Sequence, residues 1–87
     1  MKLMIVIVRD TDGENVIREL VNNSYRVTRM ASTGGFLRRG NITLMIGVEA
    51  VKVDAVIDLL RQATRPPDSE QHRATVFVVD MPFFEQI

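Results

Sequence analysis

Three glycines fall within the ten residues Ser32-Thr33-Gly34-Gly35-Phe36-Leu37-Arg38-Arg39-Gly40-Asn41. Glycine lets the backbone come close to a ligand and turn amide donors toward it. Arg38 and Arg39 add guanidinium groups suited to a phosphate, and Arg26 stands on the stretch just before them. Phe36 offers a ring on which a base can stack. Thr28, Thr33 and Asn41 supply hydroxyl and amide groups able to read base edges or ribose. Together these residue types describe a site for an anionic, aromatic small molecule, and a nucleotide fits best. The competing reading is a flexible hairpin whose arginines are simply solvated.

Sharper motifs fail. Gly35-x4-Gly40 starts like a phosphate-binding loop, but Asn41-Ile42 follows where Lys-Ser/Thr is required, and the segment leads into a strand. Asp10-x-Asp12-Gly13 lacks the remaining ligands of a calcium loop and is read as helix capping. Asp54 and Asp58 are one helical turn apart and belong on a solvated face. The single histidine, His72, lies in a polar loop, and Ser24, Ser32 and Ser69 have no adjacent His base, so no nucleophilic triad assembles. The methionines at 1, 4, 30, 45 and 81 are read as core filler. With no cysteine there is no disulfide, no thiolate catalysis and no zinc–thiolate site.

The elements that must position the glycine-rich segment follow from periodicity. Lys2–Arg9 is a continuous apolar run, as expected of a strand buried on both faces. Val16, Ile17, Leu20 and Val21 form the stripe of a helix of about three turns, closed by Asn22-Asn23-Ser24. Tyr25–Ala31 alternates as a strand, with Arg26, Thr28 and Met30 on one face. Ile42–Val48 is a further strand, and Glu49-Ala50 is a turn. Val53, Val56, Ile57 and Leu60 mark a second helix. Pro66-Pro67-Asp68-Ser69 is a loop, Ala74–Val79 is the last strand, and the tail from Met81 is expected to add one helical turn.

The chain of 87 residues is one domain, and the order strand, helix, strand, strand, helix, strand predicts an α+β, ferredoxin-like βαββαβ sandwich. Two helices cover one face of a four-stranded antiparallel sheet. The strands are nonetheless apolar on both faces, so the second face needs a cover, and association between subunits is the simplest one. Lys+Arg and Asp+Glu both number 11, so the balanced charge argues against a nucleic acid polymer as partner. No apolar stretch reaches the length of a membrane helix, and the first strand does not read as a signal peptide. The expected compartment is the cytoplasm.

The segment Asn23–Thr43, with its core Thr33-Gly34-Gly35-Phe36-Leu37-Arg38-x-Gly40-Asn41, resembles the PstA-like (DarA) cyclic-di-AMP receptors, P-II-like signal transduction proteins of mostly Gram-positive bacteria. Met1–Asp12, Gly47-Val48, Ala74–Val78 and Phe84-Glu85-Gln86 match as well. The resemblance implies a bacterial, cytoplasmic homotrimer with its sheets packed inward. It further implies a protein that is not an enzyme, needs no cofactor or metal, and binds cyclic-di-AMP in clefts between subunits. Carried over by position, Arg26 and Thr28 line the pocket. Gly35, Phe36 and Leu37 contact a base, Asn41 hydrogen-bonds an adenine edge, Gly47 leaves room for the ligand, and Phe77 and Gln86 complete the cleft. Gly47 and Phe77 also read as a strand kink and a core aromatic. The glycine-rich ligand loop spans about 32–42.

The chain departs from that family most in one segment. Family members carry a long excursion between the second helix and the last strand, where this sequence has only the short loop 64–73. Tyr25 and Ile42 stand where Phe and Thr are common. The alternative within the binding class is a P-II-like sensor of another nucleotide, such as ATP or ADP, signalling through a protein partner. An acyl phosphate hydrolase built on Arg38 and Asn41 is disfavoured, because its phosphate loop belongs after the first strand, where this chain is acidic.

Overall fold

The computed structural model describes residues 1–30, 40–65, 73–83 and 85–87. Its elements are β1 (Lys2–Arg9), α1 (Asp10–Asn22), β2 (Val27–Met30), β3 (Asn41–Val48), α2 (Val53–Ala63, entered through a 3-10 turn at Ala50–Lys52) and β4 (Ala74–Asp80). The sheet order is β2-β3-β1-β4, and every neighbouring pair is antiparallel. This is the expected ferredoxin-like sandwich.

Strand alternation assigns the two faces. Met4, Val6 and Val8 of β1 and Ile42, Leu44, Ile46 and Val48 of β3 are buried against Val16 and Leu20 of α1 and Val56, Leu60 and Ala63 of α2. Burial of each large side chain contributes about 1.5–3 kcal/mol, so this layer holds the fold together. The in-between residues face the other way. Thr28, Met45, Ile5 and Phe77 stand opposite one another in a row across all four strands, with Gly47, Leu3 and Val79 in the row beside them. Phe77 and Val79 are 52% and 47% exposed. The apolar second face is therefore real, and Phe77 belongs to it rather than to the core.

At one end of the sheet, the β1–α1 junction corrects the capping expectation. Arg9 has the backbone of the N-cap position and no side chain caps the helix. Asp12 lies inside α1 and is 2% exposed. Its carboxylate accepts from Arg9 Nε at 2.9 Å, pairs with Arg9 Nη2 at 2.7 Å, and meets Arg65 Nε at 3.5 Å. Arg9 also donates to the carbonyl of Arg65. The same junction holds the end of the β2–β3 connection, because the Asp10 amide donates to the Gly40 carbonyl at 2.8 Å. Gly40 has φ 88°, a left-handed conformation that glycine adopts without steric cost. Gly13 lets α1 sit close to β3, since a Cβ there would come within 2.5 Å of Ile42 Cδ1.

Three smaller expectations change. Val21 is exposed rather than part of the buried stripe, and Met1 and Met30 are exposed while Met4 is core. The described tail residues 81–83 and 85–87 form no helical turn. Instead the Met81 amide donates to the Met1 carbonyl at 3.1 Å, and Lys2 pairs with Asp80 across β1 and β4. The Lys2 ammonium, through a hydrogen bond and its charge, holds the Asp80 carboxyl below its ordinary range.

Candidate functional site

The α1–β2 connection builds one wall of a cleft. The Ser24 amide donates to Val21 at 3.0 Å and the Tyr25 amide to Leu20 at 2.9 Å. This hydrogen-bond pair is the Schellman pattern, and it requires a left-handed residue just past the helix end. Ser24 fills that position with φ 67°, where glycine is the usual occupant. The turn delivers Tyr25 and Arg26 to the start of β2. Arg26 Nη1 donates to Gln86 Oε1 of the tail at 3.3 Å. Sixty positions of sequence separate the two residues, so only the completed fold brings them together.

Arg26, Thr28, Gly47 and Gln86 all line one cleft of about 570 Å³. Its bed is apolar, supplied by Met1, Leu3, Met45 and Met81. An apolar bed with a few convergent polar groups suits a small planar ligand, and the volume falls in the range of about 300–1,000 Å³ usual for such sites. Gly47 has no left-handed backbone. A Cβ built on it would point toward Met81 Cε at 3.4 Å and Met1 Cε at 3.9 Å. Its missing side chain thus leaves space in the cleft, and the strand-kink reading is not needed.

The remaining candidates stand elsewhere. Asn41 opens β3 and is paired with Arg9. It is six residues from Gly47 along the strand, a span of about 20 Å. Phe77 lies on β4, three strands across from Thr28 in the row described above, about 14 Å away. Gly35, Phe36 and Leu37 lie outside the described residues, as do Ser32, Thr33, Arg38, Arg39 and His72.

Sequence reasoning missed Met1, Leu3, Tyr25, Met45, Glu49, Lys52 and Met81 as lining residues. Met45 was within reach, because it shares the period-two face of Gly47. Glu49 and Lys52 were not, since their place depends on how the chain turns after β3. There the Lys52 amide donates to the Glu49 carbonyl at 2.9 Å and closes the 3-10 turn. Among the described residues no three acidic or histidine side chains gather as a metal site, and no helix is long and apolar enough to cross a membrane.

A family model described as "Cyclic-di-AMP receptor" matches residues 1–71, which carry the glycine-rich segment, Arg26, Thr28 and Gly47. The chain belongs to the cyclic-di-AMP receptor family. The match ends before β4 and the tail, so Phe77 and Gln86 lie beyond it. A solved structure spans the whole fold, that of a functionally unknown protein from Pediococcus pentosaceus ATCC 25745. It is 32% identical, has a TM-score of 0.80, and the match covers 99% of this chain and 96% of that one. The fold of this chain is thus matched over β4 and the tail as well as over the part that the family model covers.

Proposed function

We propose that this receptor is a non-enzymatic signal transduction protein that binds cyclic-di-AMP in clefts between the subunits of a homotrimer. One observation carries the reading: Arg26, Thr28, Gly47 and Gln86, drawn from three separate stretches of sequence, line a single cleft with an apolar bed. Arg26 offers a guanidinium to a phosphodiester, Thr28 and Gln86 offer polar contacts, and Gly47 leaves room for a purine.

Two further facts favour a site completed by a second subunit. The open sheet face exposes Phe77 and Val79 beside Ile5 and Leu3, and apolar surface of this kind marks an interaction site. Asn41 and Phe77 stand far from Arg26 within one chain, so a neighbouring copy is what brings them to the ligand. Binding then shifts the balance between loop states, and the signal passes to a protein partner. The protein acts in the cytoplasm, and its ligand is a messenger rather than a cofactor.

Isothermal titration with cyclic-di-AMP tests the proposal, with cyclic-di-GMP, ATP and AMP as controls. Selective binding near one ligand per subunit is expected, and Arg26→Ala is expected to weaken it by on the order of tenfold. Unchanged affinity in Arg26→Ala would sink the assigned cleft, and no binding of cyclic-di-AMP would sink the ligand.

A further inference from the structure

The turn after β3 places two opposite charges on the wall of the ligand cleft. Glu49 and Lys52 both line it, both are exposed, and the backbone hydrogen bond between them fixes their spacing. Among the described residues neither is in an ion pair, with each other or elsewhere. Arg26, the other cation in the lining, donates to a neutral amide rather than a carboxylate. The cleft therefore holds positive charge for a phosphate together with one carboxylate that no anionic ligand would favour.

A carboxylate in an anion site costs affinity in proportion to the charge that the ligand brings near it. A cyclic dinucleotide carries one charge on each of two separate phosphodiesters. A nucleoside triphosphate concentrates more charge on one chain, and pays a larger penalty beside the same carboxylate. Specificity is a difference of affinities, and a built-in repulsion is one way to create it.

We propose that Glu49 is a specificity-determining residue that selects phosphodiester nucleotides over nucleoside polyphosphates, with Lys52 as a phosphate-attracting cation on the same turn. The proposal rests on the cleft being the nucleotide site. It concerns how that site chooses among nucleotides, so the two readings fail separately.

The test measures the affinities of cyclic-di-AMP and ATP, with cyclic-di-GMP as control and without divalent cation, for the wild type, Glu49→Gln and Lys52→Gln. Glu49→Gln is expected to tighten both ligands, ATP more, and to narrow the preference for cyclic-di-AMP on the order of three- to tenfold. Lys52→Gln is expected to weaken both. The opposite signs separate a charge effect from damage to the shared turn, and raising the salt concentration should shrink both effects. An unchanged preference in Glu49→Gln, with cyclic-di-AMP still bound, overturns the role of Glu49 and leaves the proposed function standing. A wild type that binds cyclic-di-GMP in place of cyclic-di-AMP, with its preference over ATP narrowed in Glu49→Gln, overturns the proposed ligand and leaves the role of Glu49 standing, whereas a wild type that binds ATP and no cyclic dinucleotide overturns both. Absence of binding by any of these nucleotides to wild type and variants overturns both.

Discussion

Gly47 and Ser24 lie on the same cleft and illustrate different constraints on a single residue. Gly47 is held by space, not by backbone. Its surroundings are the ends of two flexible methionine side chains, so Gly47→Ala is expected to fold with little change in unfolding temperature while lowering ligand affinity several-fold. Calorimetry on the same sample, thermal and by titration, separates the two effects. Ser24 is held by backbone. Its left-handed conformation costs an L residue about 1 kcal/mol, so Ser24→Gly is expected to stabilise the protein by about that amount. Chemical denaturation would show this as a higher midpoint with an unchanged slope. A loss of stability would mean that the serine side chain contributes more than its backbone costs. Of the candidate residues, Arg26 and Thr28 were named from their chemistry and from the family resemblance, Gly47 and Gln86 from the resemblance alone, and the structure gathers these four along one cleft. Glu49 and Lys52 were not, because a charged residue in a turn looks the same whether it meets solvent or a ligand.

Among the elements, the order and periodicity of the strands and helices were plain in the sequence. Continuous apolar runs marked β1, β3 and β4, alternation marked β2 with bounds shifted by a few residues, and apolar stripes marked the helices. The element junctions were harder to read. Asp12 looked like a cap because an acidic residue near a helix start usually is one. In the fold it is buried, and it joins the end of β1, the first turn of α1 and the chain after α2 through Arg9 and Arg65. That role depends on Arg65, far away in sequence, and no local pattern announces it. Asp12→Ala removes the buried partner of two guanidinium groups and is expected to cost about 2–3 kcal/mol. A denaturation midpoint equal to wild type would show that solvent replaces the carboxylate at no loss.

For the whole molecule, the sheet has one face whose central strands are covered by helices and one face that is apolar and open. The sequence signalled this through strands that are apolar on both sides, because two helices cover only one layer. Which residues meet a neighbour was not legible, since that depends on register across four strands. The register supplies only which residues share that face, Thr28, Met45, Ile5 and Phe77 among them. Phe77→Glu places a charge on the β4 edge of the open face. If the proposed trimer forms through this face, the change is expected to shift it toward monomer, measured by analytical ultracentrifugation, and to weaken cyclic-di-AMP binding in parallel. A monomer that retains full affinity would show that one chain holds the whole site.

The anchoring of Arg65 has a consequence for how such a protein diversifies. Arg65 is tied to Asp12, and Arg73 donates to the Arg61 carbonyl at 3.4 Å, so both sides of the short connection are fastened to the helical layer. This fastening lies at the Arg9 end of β1, whereas the cleft lies at the Leu3 end, about 20 Å along the strand. Lengthening a loop between fixed ends adds little entropic cost. Insertions and deletions between Arg65 and Arg73 can therefore accumulate across a lineage without retuning the cleft within the chain. The length of that connection and the lining of the cleft are then free to change at separate rates.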